Sequence, residues 1–146
     1  MLVITVRGSP APQGSKSFKG IHGGHAVLAE SSKKVKPWRQ DVKAAGEALM
    51  QGRPPLDGPL VVSMTFTVPK PISAPKTRRT WPMRMPDLSK LVRSTEDALT
   101  DAGVWADDAR VVRCTAAKVY PGEGEDSLQS PGCVVRIALV QVEPIG

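Results

Sequence analysis

Three aspartates carry the clearest chemistry that this sequence offers. Asp87 stands before an amphipathic stretch and Asp107 and Asp108 follow it, within the segment MPDLSKLVRSTEDALTDAGVWADDARVV (85–112). Carboxylate oxygens are hard ligands, and Mg²⁺ is commonly held by one or two carboxylates together with water and substrate phosphate. If the fold brings these aspartates together, they predict a magnesium site that activates water against a phosphodiester.

Each aspartate also has a purely structural interpretation. Asp87 follows Pro86 and precedes an apolar-periodic run, which is the position of a helix N-cap. Asp107 and Asp108 precede a predicted strand and are typical turn residues. Taken alone, Asp87 is better explained as a cap. The metal interpretation depends on the combination of carboxylates from two places with many nearby cations.

The charge balance favours a polyanionic partner. The chain has 20 Lys and Arg against 14 Asp and Glu, a net charge of +6 and a pI near 9.6, which indicates nucleic acid first. Aromatic residues make up only 4%, which argues against a base-stacking platform of the single-strand-binding kind. Residues 69–86 are too rich in proline for regular structure and lead straight into Asp87, so they form either a solvated loop or a phosphate-binding arm. Their cations are Lys70, Lys76, Arg78, Arg79 and Arg84.

The segment 8–26 is rich in Gly, Ser and Pro and is predicted to be a surface loop. It carries Lys16 and Lys19, which are candidate DNA contacts in a basic protein. His22 and His25 could bind metal, but no third ligand is nearby, so two incidental histidines are the better interpretation.

The sequence also indicates the cellular compartment in which the protein works. No apolar run is long enough to cross a bilayer, and the first ten residues lack the layout of a secretory signal. Cys114 and Cys133 match no metal-ligand spacing. We expect both to be buried free thiols in a reducing cytoplasm.

Hydrophobic periodicity predicts one α+β domain over residues 1–146, with a mixed sheet packed against two main helices. The first helix follows Ser32, a candidate cap, and the second covers residues 88–102 and ends at Gly103. The buried stripe of the first helix is Trp38, Val42, Ala45 and Leu49. The predicted strands are residues 2–6, 60–68, 110–120 and 133–142, with a short one at 26–29.

Residues 86–112 resemble the RusA family of Holliday-junction resolvases, small endonucleases common in phages and prophages. The family pattern is D-x-D-N/K-L-x-K, then D-A-L-T, a glycine and W-x-D-D-x-x-V-V. The opening strand followed by GSPAPQGS is also similar to the family's start. The resemblance implies a RusA-like fold and a homodimeric endodeoxyribonuclease that depends on Mg²⁺, with Mn²⁺ as a substitute. It would resolve four-way DNA junctions in recombination and repair.

The resemblance also implies roles for individual residues. The family's first catalytic aspartate falls on Asp87, and its late one falls on Asp108 with Asp107 beside it; these three are the implied metal ligands. The functional lysine of the family falls on Arg93, which keeps the charge but not the geometry. The implied catalytic set is Asp87, Ser89, Arg93 and Asp108. The candidate DNA contacts are Lys16, Lys19, Lys76, Arg78, Arg79, Arg84 and Lys90.

Ser89 departs from the pattern, because the family has its second catalytic aspartate at this position. The Ser89 hydroxyl or a bridging water could still bind metal and leave an active enzyme. Glu96 could substitute, although it lies about two turns, or roughly 10 Å, further along the helix. Otherwise the protein binds junctions and cuts them poorly. An active metal nuclease is the first hypothesis and a weakened junction-binding relative the second; a basic fold with merely solvated charges is the third.

Overall fold

The computed structural model describes residues 1–13, 16–22, 25–30, 34–141 and 143–146, and between residues 16 and 30 it describes the backbone alone. The strands are β1 (Leu2–Arg7), β2 (Lys16–His22), β3 (His25–Glu30), β4 (Leu60–Thr67), β5 (Val111–Val119) and β6 (Gly132–Leu139). The helices are α1 (Val35–Met50) and α2 (Leu88–Asp101), and a 3₁₀ turn (Asp108–Arg110) precedes β5.

Four strands form a mixed sheet in the order β1-β6-β4-β5. β4 pairs with β6 in antiparallel and with β5 in parallel. A parallel pair needs a crossover connection, and residues 68–110, which contain α2, supply it. The predicted α+β class with a mixed sheet and two helices is therefore confirmed. The crossover also contains all three candidate aspartates, because Asp87, Asp107 and Asp108 lie between β4 and β5 in the chain.

The sheet buries one face against α1 and α2. β4 alternates as the sequence predicts, with Val62, Met64 and Phe66 fully buried. Trp38 on α1 is buried and its indole N–H donates to Thr95 Oγ1 of α2 at 3.1 Å. This bond joins the two helices over the core. It fixes the orientation of α2, whose outer face holds the candidate catalytic residues.

α2 ends where the sequence predicts. Gly103 has φ +76°, a left-handed conformation that suits glycine after a helix, and its N–H donates to Thr100 O. Trp105 is buried beneath this turn and donates from Nε1 to Thr100 Oγ1 at 2.7 Å. The turn thus delivers Asp107 and Asp108 to a fixed place beside α2.

The glycine-rich segment departs from the prediction. Residues 16–22 form β2 and pair with β3 in an antiparallel hairpin, so the predicted loop over residues 8–26 is wrong there. The composition indicates a loop, but glycine and serine can both take part in a strand. Here the two neighbouring segments pair through their backbones and form a hairpin. The short strand predicted at 26–29 lies within β3. Ser32 lies outside the described residues, as do the side chains of His22 and His25.

Cys114 is the other correction. Both cysteines are free thiols in strands, and Cys133 is buried, but Cys114 is exposed. β5 is the edge strand of the sheet and has a neighbouring strand on one side only, so burial was wrongly predicted. Within the described ranges no helix is long and apolar enough to cross a membrane.

Candidate functional site

Asp87 occupies the cap position of α2 without acting as a cap. Its backbone is extended (φ −67°, ψ 132°), as a cap residue requires, yet its side chain makes no capping hydrogen bond. Asp87 Oδ2 instead lies 3.6 Å from Lys90 Nζ, and both side chains are about half exposed. The structural explanation weighed from the sequence therefore fails for the carboxylate, which stays accessible to a ligand.

Lys118 fixes the chain that leads into Asp87. It projects from β5, is partly buried, and donates from Nζ to the carbonyl oxygens of Arg84 and Pro86, both at 2.8 Å. These two bonds attach the last residues before Asp87 to the sheet. No sequence signal singles out Lys118, which is one of two cations in β5 together with Arg113.

Asp107 and Asp108 have different surroundings. Asp107 Oδ1 accepts a hydrogen bond from the Ala109 N–H at 2.7 Å and caps the 3₁₀ turn. That N–H, and then the side chain of Asp108, lower the pKa of Asp107. The turn interpretation is thus confirmed for Asp107. Asp108 is exposed beside it, in the turn that faces α2.

Glu96 is the acid that the structure places near Asp108. It lies on α2 and is half-buried, and its pKa is raised first by that burial and then by the carboxylates of Asp108 and Asp97. Negative charge therefore accumulates between the middle of α2 and the 3₁₀ turn. A hard divalent cation fits such a set of oxygen donors, because it would relieve this repulsion.

The aspartates do not complete a full metal cage by themselves. Across residues 1–13, 16–22, 25–30, 34–141 and 143–146, no group of three or more His, Cys, Asp or Glu could hold a metal ion. Mg²⁺ does not require such a group, because it commonly keeps several waters and takes one or two carboxylates with a substrate phosphate.

Ser89 and Arg93 lie on the outward face of α2. Both are exposed, and their spacing of four residues puts them one above the other on the helix surface. Glu96 follows Arg93 by three residues on the same side. The helix thus presents a hydroxyl, a guanidinium and a carboxylate in a line that starts beside Asp87.

The segment 69–86, called the arm from here on, is irregular as predicted and strongly cationic. An open hollow of about 530 Å³ is lined by Lys70, Lys76, Arg78 and Arg79 together with Glu123. Glu123 Oε2 accepts from Lys70 Nζ at 2.7 Å, and its Oε1 accepts from the Thr80 N–H at 3.2 Å. The Lys70 bond is the main reason why the pKa of Glu123 is lowered.

The arm is therefore held near its start and again at Thr80 by Glu123, and at its exit by Lys118. Lys76, Arg78, Arg79 and Arg84 are exposed and Lys90 is partly so. Lys16 and Lys19 lie in β2, where the structure describes the backbone alone, so their role as DNA contacts stays a prediction.

The family model described as Endodeoxyribonuclease RusA matches residues 7–128. The chain belongs to the RusA family. No curated protein matches the chain significantly.

The match to RusA covers most of the chain, from the end of β1 to the loop before β6. It includes the arm, α2, the 3₁₀ turn and β5, which are the elements that position every residue of the candidate site except those in β2. Membership of RusA supports a nuclease that acts on branched DNA. This agrees with the basic charge of the chain and with the cations of the arm.

Proposed function

We propose that this RusA protein is a divalent-metal-dependent endodeoxyribonuclease that resolves four-way DNA junctions by phosphodiester hydrolysis. The observation that carries the proposal is the exposed carboxylate of Asp87 at the start of α2, which makes no capping hydrogen bond and directly follows a cationic arm. A capping aspartate would satisfy a backbone N–H of the helix. Asp87 does not, so its position in the family pattern has a functional explanation.

Asp87 and Asp108 are the proposed metal ligands, and Asp107 contributes through the oxygen that does not accept the Ala109 N–H. Mg²⁺ is the proposed ion, with Mn²⁺ as a substitute. Such an ion, when bound, neutralises charge on the phosphate and lowers the pKa of a bound water. Glu96 is the candidate for the carboxylate that Ser89 lacks, because it already interacts with Asp108.

Two cations of α2 complete the proposed site, Arg93 as a catalytic residue and Lys90 as a DNA contact. Arg93 lies on the outward face of α2, one turn beyond Ser89, and is proposed to contact the scissile phosphate. Lys90 Nζ lies 3.6 Å from Asp87 Oδ2 and is proposed to contact the DNA backbone beside this carboxylate. The N-terminal end of a helix also favours an anion, so the start of α2 suits a phosphate.

DNA binding is assigned to the exposed cations of the arm, with Lys16 and Lys19 as further contacts. A four-way junction has two equivalent cleavage points, and a two-fold dimer matches that symmetry. We therefore propose a homodimer, with one site acting on each of two strands. Action on cellular or phage DNA implies a cytoplasmic protein.

The test is cleavage of a synthetic four-way junction with Mg²⁺ by Asp87→Asn and Asp108→Asn. Each substitution should reduce cutting by more than the about 10–100-fold that loss of an outer-shell partner typically costs, while junction binding is kept. Asp101→Asn is the matched control, since it removes an exposed carboxylate that pairs with Arg39 at the far end of α2. Cutting that persists in both site variants would remove these residues from the mechanism. A wild type with no preference for junctions over duplex would support the solvated-charge hypothesis.

A second candidate function is junction binding with weak cleavage, and Ser89 motivates it. A hydroxyl is a neutral and weaker ligand than a carboxylate. Under this hypothesis Ser89→Asp raises the cleavage rate and lowers the Mg²⁺ concentration needed for half-maximal cutting. If the wild type already cuts efficiently and Ser89→Asp brings no gain, this candidate is rejected in favour of the first.

A further inference from the structure

The arm exposes three large apolar side chains at alternate positions. Trp81, Met83 and Met85 are 57%, 91% and 74% exposed; between them Pro82 is buried and Arg84 is exposed. Exposed apolar side chains that lie next to one another mark an interaction site more often than single ones do. These three residues are called the apolar row.

The apolar row is held in place before any partner arrives. The guanidinium carbon of Arg79 lies 3.9 Å from the ring centroid of Trp81. Arg79 in turn packs against Gly124 (φ +125°), where an added Cβ would lie 2.6 Å from Arg79 Nη2. The Thr80 N–H is bound by Glu123, and Lys118 binds the carbonyls on either side of Met85. The backbone at both ends of the row and the ring of Trp81 are therefore ordered before binding, which lowers the entropy cost of contact.

The position of the apolar row relates it to the proposed cleavage site. Met85 lies two residues before Asp87, and Trp81 lies six residues before it. Their Cα atoms are therefore at most roughly 7 Å and 21 Å from the Cα atom of Asp87. Cations flank the row closely, with Arg79 before it and Arg84 within it. Proteins that bind unpaired DNA combine cations that contact phosphates with aromatic side chains that contact bases. The buried core of a protein–protein interface is instead depleted of charge, so the mixture of cations and apolar side chains favours DNA as the partner.

Trp81 also forms one wall of an open hollow. The hollow measures about 470 Å³, and its lining includes Ser63, Thr65, Asp126 and Arg136. The Arg136 guanidinium makes two bonds of 2.7 Å to Asp126. A volume within the ~300–1,000 Å³ range of small-molecule sites, lined by hydroxyl and charged groups together with an indole, suits one displaced base with its sugar.

We infer that the apolar row contacts bases that are unpaired or unstacked at the branch point, with Trp81 as the stacking partner beside the scissile phosphate. The inference rests on the proposed function, since it names which part of branched DNA the same site recognises. A linear duplex hides its base faces, whereas a branch point exposes them. Apolar side chains that enter an opened base step are an established means of holding distorted DNA. The row thus selects junctions over duplex, a selectivity that phosphate contacts alone do not provide.

The experiment measures binding in EDTA, where proposed cleavage is absent, to a four-way junction that carries 2-aminopurine at the branch point. A linear duplex of the same sequence is the second substrate. Trp81→Ala should weaken junction binding about 10-fold, the size expected for one lost base–aromatic stack, and abolish the fluorescence change. Duplex affinity should stay within about 2-fold, because duplex binding is mainly electrostatic. Trp81→Phe should retain most of the junction affinity.

Ile72→Ala is the matched control, because Ile72 is 93% exposed in the same arm but outside the apolar row. It should leave both affinities unchanged. Equal losses on junction and duplex, or no loss with Trp81→Ala, would overturn the inference. So would a combined Trp81→Ala, Met83→Ala and Met85→Ala variant that is monomeric while the wild type is dimeric, since the row would then face a second copy.

The two proposals fail in distinguishable ways. A wild type that cuts junctions while Trp81→Ala binds them normally removes the inference and leaves the proposed function intact. A wild type that neither prefers nor cuts junctions removes both.

Discussion

At the scale of single residues, Glu96 is the most informative side chain. Its pKa is raised by burial and by Asp108, so the folded protein holds a proton on Glu96 more tightly than the unfolded chain does. Stability from this group is therefore greatest below the unfolded pKa of about 4.3 and is lost as pH rises through the higher folded pKa. Above the folded pKa the ionised carboxylate opposes folding unless a cation sits beside it.

Glu96→Gln should therefore raise the thermal midpoint at pH 7 in EDTA, and the difference should vanish near pH 4. The gain is limited to about 1 kcal/mol or less, because the side chain is half exposed and water screens its charge. Added Mg²⁺ should stabilise the wild type more than the variant. Calorimetry across pH measures both effects. Glu47→Gln, which removes an exposed carboxylate from α1, should show neither; a lower midpoint for Glu96→Gln at pH 7 would contradict the assignment.

At the scale of elements, the arm and α2 are coupled through Lys118. Its two bonds to the carbonyls of Arg84 and Pro86 hold the last three residues of the arm against β5. Without them the backbone entering α2 is free to move, and Asp87 moves with it. Since catalysis is sensitive to displacements of about 1 Å, Lys118 is expected to affect cutting without contacting DNA.

Lys118→Met should lower the free energy of unfolding by about 1–2 kcal/mol, as expected for charged hydrogen bonds that are partly exposed. It should also raise the Mg²⁺ concentration needed for half-maximal cutting, with little change in junction affinity. Lys118→Arg should recover part of the cutting. Denaturant unfolding and metal titration of cleavage measure these effects. The control is Lys43→Met, an exposed lysine on α1 that lies 3.9 Å from Glu47; a similar loss there would argue against a specific role.

Among the elements, those defined by local sequence signals are predictable from the sequence, whereas those held by distant contacts are not. α2 was placed to within one residue, because its apolar spacing and Gly103 are local signals. The exposed carboxylate of Asp87 was not predictable, since it depends on how the arm is held. The bonds that hold the arm join residues 32, 34, 43 and 53 positions apart, and no local pattern contains them. The β2–β3 hairpin was missed for a related reason, because pairing overrides a loop-like composition.

At the scale of the whole molecule, the charge distribution governs how DNA is reached. The net charge of +6 favours any polyanion, and the arm concentrates exposed cations beside Asp87. Phosphate contacts make affinity fall with salt, by a slope that counts the contacts. The cations of the arm and the apolar row are therefore expected to have separable effects, the cations on general DNA affinity and the row on the preference for branched DNA.

Lys76→Ala combined with Arg78→Ala should weaken junction and duplex binding alike and reduce the salt slope by about 2, one for each lost phosphate contact. The ratio of junction to duplex affinity should stay constant. Fluorescence anisotropy over a range of salt concentrations measures the slope, with Lys43→Ala, which removes an exposed lysine of α1, as the control. A slope that does not change would show that these two side chains stay solvated.

The placement of the three tryptophans has an optical consequence. Trp38 and Trp105 are each 1% exposed, and Trp81 is 57% exposed. A collisional quencher such as acrylamide should therefore reach Trp81 almost exclusively, so the quenched part of the emission comes from the arm alone. The protein carries an intrinsic spectroscopic reporter at the segment proposed to meet DNA, and stopped-flow fluorescence of the unlabelled chain can follow the moment at which that segment becomes covered.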